Sequence, residues 1–154
     1  MFNSKLAFSV IVLLLLCPNA TVLADAPAPT LEFRLAEDTE SPGWQKLALP
    51  GSDQPIFVAA EASLNGSHIE RVSFYKDRSG NPSIGLVLTD DGAKVMEATT
   101  SRNLNKKLAI VLDGKVLIAP TIRTTITKEV EITGLFGEED LLKLFRAIVL
   151  RDLK

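Results

Sequence analysis

The segment from Leu108 to Pro120 most constrains the fold of this chain, because two apolar runs flank a single Asp-Gly pair. Asp113 and Gly114 favour a type I′ turn, in which both central residues have positive φ. The turn predicts this register: Leu112 with Lys115, Val111 with Val116, Ile110 with Leu117, and Ala109 with Ile118. Both faces of the hairpin are apolar, so we expect both to be buried. Pro120 has no N–H group and is predicted to end the strand ladder.

The beginning of the chain has the pattern of a secretory signal peptide, which we assign to residues 1–24. A positive charge precedes the apolar run Leu6–Leu16, which is about half as long as the ~20 residues of a membrane-spanning helix. The residues that follow favour cleavage between Ala24 and Asp25. We therefore expect export to the periplasm and a flexible Pro- and Ala-rich spacer over residues 25–30.

Cys17 is the only cysteine of the chain and falls within this leader. Attachment of a lipid to Cys17 is the alternative, and it would anchor the protein to the membrane. Cleavage after Ala24 would instead leave a mature chain without cysteine, whose stability comes from burial of its core.

The rest of the chain alternates strand patterns with two helical ones. Leu31–Ala36 alternates like a half-buried strand, and Ile69–Leu88 reads as a hairpin with a long connection. One helix is predicted to start at Thr89, whose hydroxyl can cap it, and another to run from about Glu138 to Leu150. The broad apolar face of the last helix comprises Leu141, Leu142, Leu144, Phe145, Ile148 and Val149. We expect one α+β domain over residues 31–154, a two-layer sandwich of a mainly antiparallel sheet with two helices on one face.

Three ordered motifs between Asn81 and Leu150 identify a family. They are Gly85-Leu-Val-Leu-Thr-Asp-Asp-Gly-Ala93, Lys107-Leu-Ala-Ile-Val-Leu-Asp-Gly-Lys-Val-Leu-Ile-Ala-Pro120 and Ile132-Thr-Gly-Leu-Phe136. This order resembles the head subdomain of the first periplasmic domain of SecD and of fused SecDF, accessory subunits of the Sec protein-export channel. We predict structural roles for the motif residues Gly92, Asp113, Gly114, Pro120 and Gly134, at a helix start, a turn, a strand end and a change of direction.

The resemblance implies a role in protein export. In that family the head subdomain is thought to move relative to its base and to contact exported polypeptide. The family also has membrane helices with carboxylates that use the proton gradient, and its sequence continues toward the membrane where this one ends at Lys154. We therefore expect a free-standing, exported relative that contacts exported polypeptide as an accessory to Sec-dependent translocation.

The run Thr121–Lys128 is the candidate polypeptide-binding edge, because its β-branched threonines favour extended structure. The candidate contact residues are Thr121, Arg123, Thr124, Thr125 and Lys128. The same residues also suit a protected edge strand whose charges prevent unwanted pairing. The expected partners are exported polypeptides or Sec translocon subunits. The alternative is an envelope structural or regulatory protein that docks on a folded partner and has no role in export.

No residue pattern in the sequence indicates catalysis. His68 is the only histidine and lies in a polar turn, so neither a zinc cluster nor a Cys-His pair can be assembled from the mature chain. The carboxylates at Asp90 and Asp91 open a helix, where their charge suits the helix dipole. The net charge of −2 argues against a nucleic-acid partner. We expect a binding protein that is not an enzyme and has no cofactor.

Overall fold

The computed structural model describes residues 29–133 and 137–149. The predicted leader, with Cys17, Ala24 and Asp25, lies outside the described residues, as does Gly134. The elements in chain order are β1 (Leu31–Glu37), β2 (Gln45–Ala48), β3 (Pro55–Val58), β4 (Leu64–Asn65), β5 (Ile69–Lys76), β6 (Pro82–Leu88), α1 (Asp90–Arg102), β7 (Lys107–Leu112), β8 (Lys115–Ile118), β9 (Glu129–Thr133) and α2 (Glu138–Val149).

The strands form two antiparallel sheets. The first sheet has the order β2-β3-β1-β7-β8, with the short strand β4 also paired to β1, and the second has the order β5-β6-β9. Helix α1 packs on β4 and β6, and α2 packs on β1, β5 and β7. The predicted α+β class with mainly antiparallel strands and two helices is confirmed, but the strands divide between two sheets that the sequence patterns do not separate.

Strand β7 of the β7–β8 hairpin is buried on both faces, as its sequence predicts, whereas Leu117 and Ile118 of β8 are half-buried. Leu108, Ile110 and Leu112 of β7 belong to the larger core, which both sheets and both helices share. Ala109 and Val111 point to the opposite face, where a smaller core lies against β3. Strand β7 pairs with β1 along its whole length. The first sheet therefore contributes side chains to the larger core on one face and to the smaller core on the other.

The hairpin register agrees with the prediction only near the turn. Asp113 and Gly114 have φ angles of 51° and 76°, as a type I′ turn requires. The two predicted pairs nearest the turn are present, but Ile110 pairs with Ile118. The predicted pairs Ile110 with Leu117 and Ala109 with Ile118 are therefore wrong. A β-bulge in this part of the ladder inserts an extra residue into β8 and bends the strand.

The segment of residues 121–128, here called the crossing segment, does not form the predicted edge strand. Its backbone instead binds to other elements: the Ile122 N–H donates to the Lys106 carbonyl at 2.8 Å, and one isolated bridge joins Thr121 to Lys107. Ile122 is buried and Ile126 packs against the larger core. Burial of these two side chains holds the segment across the core and prevents it from pairing as a regular strand.

Helix α1 begins as predicted. The Thr89 hydroxyl accepts a hydrogen bond from the Gly92 N–H at 3.0 Å, and Asp90 and Asp91 lie in the first turn. Met96 and Thr100 are buried on the inner face. The carboxylates therefore have a structural reason for their position.

The predicted hairpin between Ile69 and Leu88 consists of β5 and β6, and Asp77 organises its loop. The Asp77 carboxylate accepts hydrogen bonds from the N–H groups of Ser79 and Asn81, each at 2.8 Å. These hydrogen bonds hold the pKa of the Asp77 carboxyl below its ordinary value of 3.8, and the bond from the Asn81 N–H has the largest effect. The ionised carboxylate thus orders the loop.

We expect the loop of the β5–β6 hairpin to lose order in acid. Because the folded pKa of Asp77 lies below the unfolded one, its contribution to stability is complete above about pH 4 and is lost as the pH falls through the folded pKa. Titration of the Ser79 and Asn81 amide shifts by NMR should give a midpoint below 3.8. The Asp77→Asn variant should abolish this transition, and a wild-type midpoint at or above 3.8 would contradict the assignment.

Candidate functional site

An apolar groove of about 240 Å³ lies where the first sheet, the crossing segment and β9 meet. Phe33 and Ile110, from the neighbouring strands β1 and β7, contribute to its lining from the first sheet. Ile126 of the crossing segment and Val130 of β9 line it on the side of the second sheet. Apolar surface that remains open between two sheets is a place where another apolar group can be buried.

The polar rim of the groove includes three of the five residues predicted from the sequence. Thr121, Arg123 and Thr124 line it, but Thr125 and Lys128 do not. The Lys128 ammonium instead donates to the Asp90 carboxylate at 2.7 Å. Lys128 is therefore paired with the start of α1. This hydrogen bond raises the pKa of Lys128 and lowers that of Asp90.

Strand β9 is an edge strand of the second sheet as described, and it lies beside the groove. It pairs with β6, and the Leu88 N–H donates to the Lys128 carbonyl directly opposite at 2.8 Å. Hydrogen-bonded pairs alternate along an antiparallel ladder, so the backbone groups of Glu129, Glu131 and Thr133 face away from β6. Within residues 29–133 and 137–149, no hydrogen bond to these groups is found. Another strand could therefore pair with β9.

The solvent face of the second sheet carries Glu131 next to an aromatic ring. Tyr75 lies over Gly85, where an added Cβ atom would come within 3.2 Å of the Tyr75 ring. Partial burial has the largest effect in raising the pKa of Tyr75, and a hydrogen bond to the Glu131 carboxylate raises it further. The Glu131 carboxylate is therefore held at the rim of the groove.

Thr100 of α1 holds the crossing segment in place where it lines the groove. Its buried hydroxyl donates to the Met96 carbonyl at 2.8 Å and accepts from the Ile126 N–H at 2.9 Å. The Ile126 amide therefore has its acceptor in the helix. This bond fixes the crossing segment at the point where Ile126 enters the groove.

Replacing Thr100 by valine is expected to lower the free energy of unfolding by about 1.5 kcal/mol, because the Ile126 N–H loses its acceptor while remaining partly buried. Urea denaturation followed by circular dichroism measures this loss. Thr99→Val is the matched control, since no hydrogen bond to the Thr99 hydroxyl is found in the described part of the chain. Thr100→Ser should retain most of the stability, and equal losses for Thr99→Val and Thr100→Val would contradict the anchoring role.

Helix α2 presents a second apolar surface. Leu144 and Ile148 are buried as predicted, but Leu142 is 65% exposed and Phe145 46% exposed. The predicted apolar face is therefore wider than the part that packs on the sheets. The Phe145 ring lies 6.5 Å from the ring of Phe74 on β5. The rings of Phe74 and Phe145 form the aromatic patch, and Leu142 is exposed one turn before Phe145 on α2.

The described residues contain no group of three or more His, Cys, Asp and Glu side chains that could hold a metal ion. His68 lies in a tight turn, where its Nδ1 atom is 3.3 Å from the Asn65 backbone nitrogen and 3.1 Å from the Asn65 Oδ1 atom. Neither helix in residues 29–133 and 137–149 has the length and apolar character needed to span a membrane.

The sequence and the fold match proteins of the Sec export system. The model of the family described as "SecDF, P1 head subdomain" matches residues 44–152. The protein translocase subunit SecDF of Thermus thermophilus is 40% identical over 90 residues, which are 58% of this chain and 12% of that protein. The SecD subunit of Aquifex aeolicus is 32% identical over 123 residues, which are 79% of this chain and 23% of that protein. The chain thus spans less than a quarter of either relative.

Two solved structures share the fold. The crystal structure of SecDF in its super-membrane-facing form matches with a TM-score of 0.63 and 29% identity, over 80% of this chain and 19% of that chain. A second structure, described as that of a membrane component SecDF that enhances protein export, matches with a TM-score of 0.60 and 27% identity. It covers 80% of this chain and 62% of that chain.

Proposed function

The chain belongs to the family of SecDF P1 head subdomains, and we propose on this basis that it binds extended segments of exported polypeptide as an accessory to protein translocation. The relatives are translocase subunits, and one is described as enhancing protein export. We place this role in the periplasm and assign it to binding without catalysis. The observation that carries the proposal is the outer edge of β9, which is unpaired within residues 29–133 and 137–149 and borders an apolar groove.

An exported polypeptide in transit presents unpaired backbone groups and apolar side chains together, and the site offers a partner for both. The N–H and C=O groups of Glu129, Glu131 and Thr133, which face away from β6, can form a ladder with an added strand. Side chains of that strand alternate between its two faces. Those on the side of Val130 would enter the groove, so the backbone provides affinity for any sequence and the groove selects apolar residues.

Replacing Glu131 by proline tests the strand addition. Proline removes an N–H group that faces the free edge and leaves the pairing with β6 intact, a position in which edge strands accept it. We expect at least a tenfold loss of affinity for a labelled extended peptide of alternating valine and threonine, measured by fluorescence anisotropy. Glu131→Gln is the matched control, because it keeps the N–H group and should bind this uncharged peptide like the wild type. Equal affinity for the two variants, with both folded, would overturn binding at the β9 edge.

A photoreactive residue distinguishes this function from docking on a folded partner. Placed at Thr124, on the rim of the groove, it should crosslink many unrelated exported chains in cells, since backbone pairing is independent of sequence. Placed at Phe145, in the aromatic patch, it serves as the control position on the surface. Capture of one folded envelope protein at Phe145, with no exported chains at Thr124, would contradict the proposal and favour the alternative.

A further inference from the structure

The free edge of β9 carries two carboxylates in register with its apolar residues. Glu129 and Glu131 are exposed on the solvent face of the second sheet, whereas Val130 and Ile132 face the core. In the described part of the chain, no ion pair involves Glu129 or Glu131. A strand that binds here therefore meets negative charge on one face and the apolar groove on the other.

Cations lie near β9 without pairing to these carboxylates in the described part of the chain: Lys76 and Arg78 border an open surface pocket beside Glu131 but form no ion pair with it. Arg71 lies on the same face of the second sheet but is two strands away from Glu129, with Val87 between them. At about 4.8 Å for each strand, an added strand would be roughly half as far from Glu129 as Arg71 is. Lys128 is engaged by Asp90, and Arg123 of the crossing segment lines the groove together with Glu131 but forms no ion pair with it in residues 29–133 and 137–149.

We propose that the preferred occupant of the β9 edge is an extended segment in which apolar residues alternate with lysine or arginine. This inference rests on the proposed function and adds the class of sequence that the site selects. The apolar side chains enter the groove beside Val130, and the cationic ones lie opposite Glu129 and Glu131. Opposite charges on neighbouring strands attract, and like charges in the same positions repel.

Three peptides with the same valines test this preference, with lysine, threonine or glutamate at the alternate positions. Two cross-strand charge pairs should make the lysine peptide bind about fivefold more tightly than the threonine peptide at low ionic strength. The glutamate peptide should bind most weakly, and added salt should bring the three affinities together because these pairs are exposed. Fluorescence anisotropy of the labelled peptides measures all three.

A double variant assigns the effect to β9. Glu129→Gln with Glu131→Gln should remove the preference for the lysine peptide, so that the lysine and threonine peptides bind this variant with equal affinity. Asp53→Asn with Glu61→Gln changes the net charge equally at exposed positions and should keep the preference. If the threonine peptide binds and the lysine peptide binds no better, the inference fails while the proposed function stands. If none of the three binds, both fail, and a lysine preference that persists in the β9 variant overturns the assignment to these carboxylates.

Discussion

Replacing Phe33 by alanine is expected to lower the free energy of unfolding by about 4 kcal/mol, the largest loss that we predict for a single side chain. Phe33 is fully buried at the middle of β1, where it lies opposite Ile110 on one side and Leu64 on the other. It belongs to the larger core and also lines the groove. The cavity left by its ring would lie between the strands that hold the first sheet together, so the surrounding backbone has little freedom to close it.

Urea denaturation of the Phe33→Ala variant measures this loss, and Phe74→Ala is the matched control. Phe74 is 42% exposed in the aromatic patch, so its removal should cost no more than about 1 kcal/mol. Phe33→Leu should recover more than half of the loss, because it restores most of the apolar volume. Equal losses for the two alanine variants would show that Phe33 is not at the centre of the core.

Local pattern was sufficient to predict most elements, but it did not reveal how they pair. The period of β1, the Asp-Gly turn and the Thr89 cap depend on neighbouring residues, and the structure contains all three. The division into two sheets depends on which distant strands meet. The bulge that shifts Ile110 onto Ile118 likewise reflects the bend of β8 against the rest of the sheet, a property that the turn sequence does not determine.

The candidate site shows the same limit. Thr121, Arg123 and Thr124 were predicted from the extended-structure propensity of their segment, and they do line the groove. The segment is nevertheless no strand, because Ile122 and Ile126 pack into the core. Alternation in the sequence already indicates a strand at β9, but whether a strand lies at the edge of a sheet depends on its partners. The sequence therefore did not identify Glu129 and Glu131.

Exchanging Gly92 for alanine is expected to destabilise the protein by about 2 kcal/mol, although alanine ordinarily favours a helix by up to about 1 kcal/mol over glycine. The sequence motif predicts a structural role for this glycine at the start of α1. The structure supplies the reason: a Cβ atom here would lie 2.5 Å from the His68 carbonyl oxygen and 2.8 Å from the His68 Cβ. That carbonyl accepts the Thr89 N–H at 2.9 Å, so moving it away would break the bond that positions the helix start.

Gly66→Ala is the control for this effect, because its Cβ would meet only the Ala147 carbonyl oxygen, at an ordinary 3.7 Å. We expect its unfolding free energy to stay within about 0.5 kcal/mol of the wild type. Hydrogen exchange adds a local test, since the clash should reduce protection first in the amides of the first turn of α1 that follow Thr89. A Gly92→Ala variant as stable as the wild type would contradict this explanation. It would mean that the β4–β5 connection moves away from the added methyl group without loss of stability.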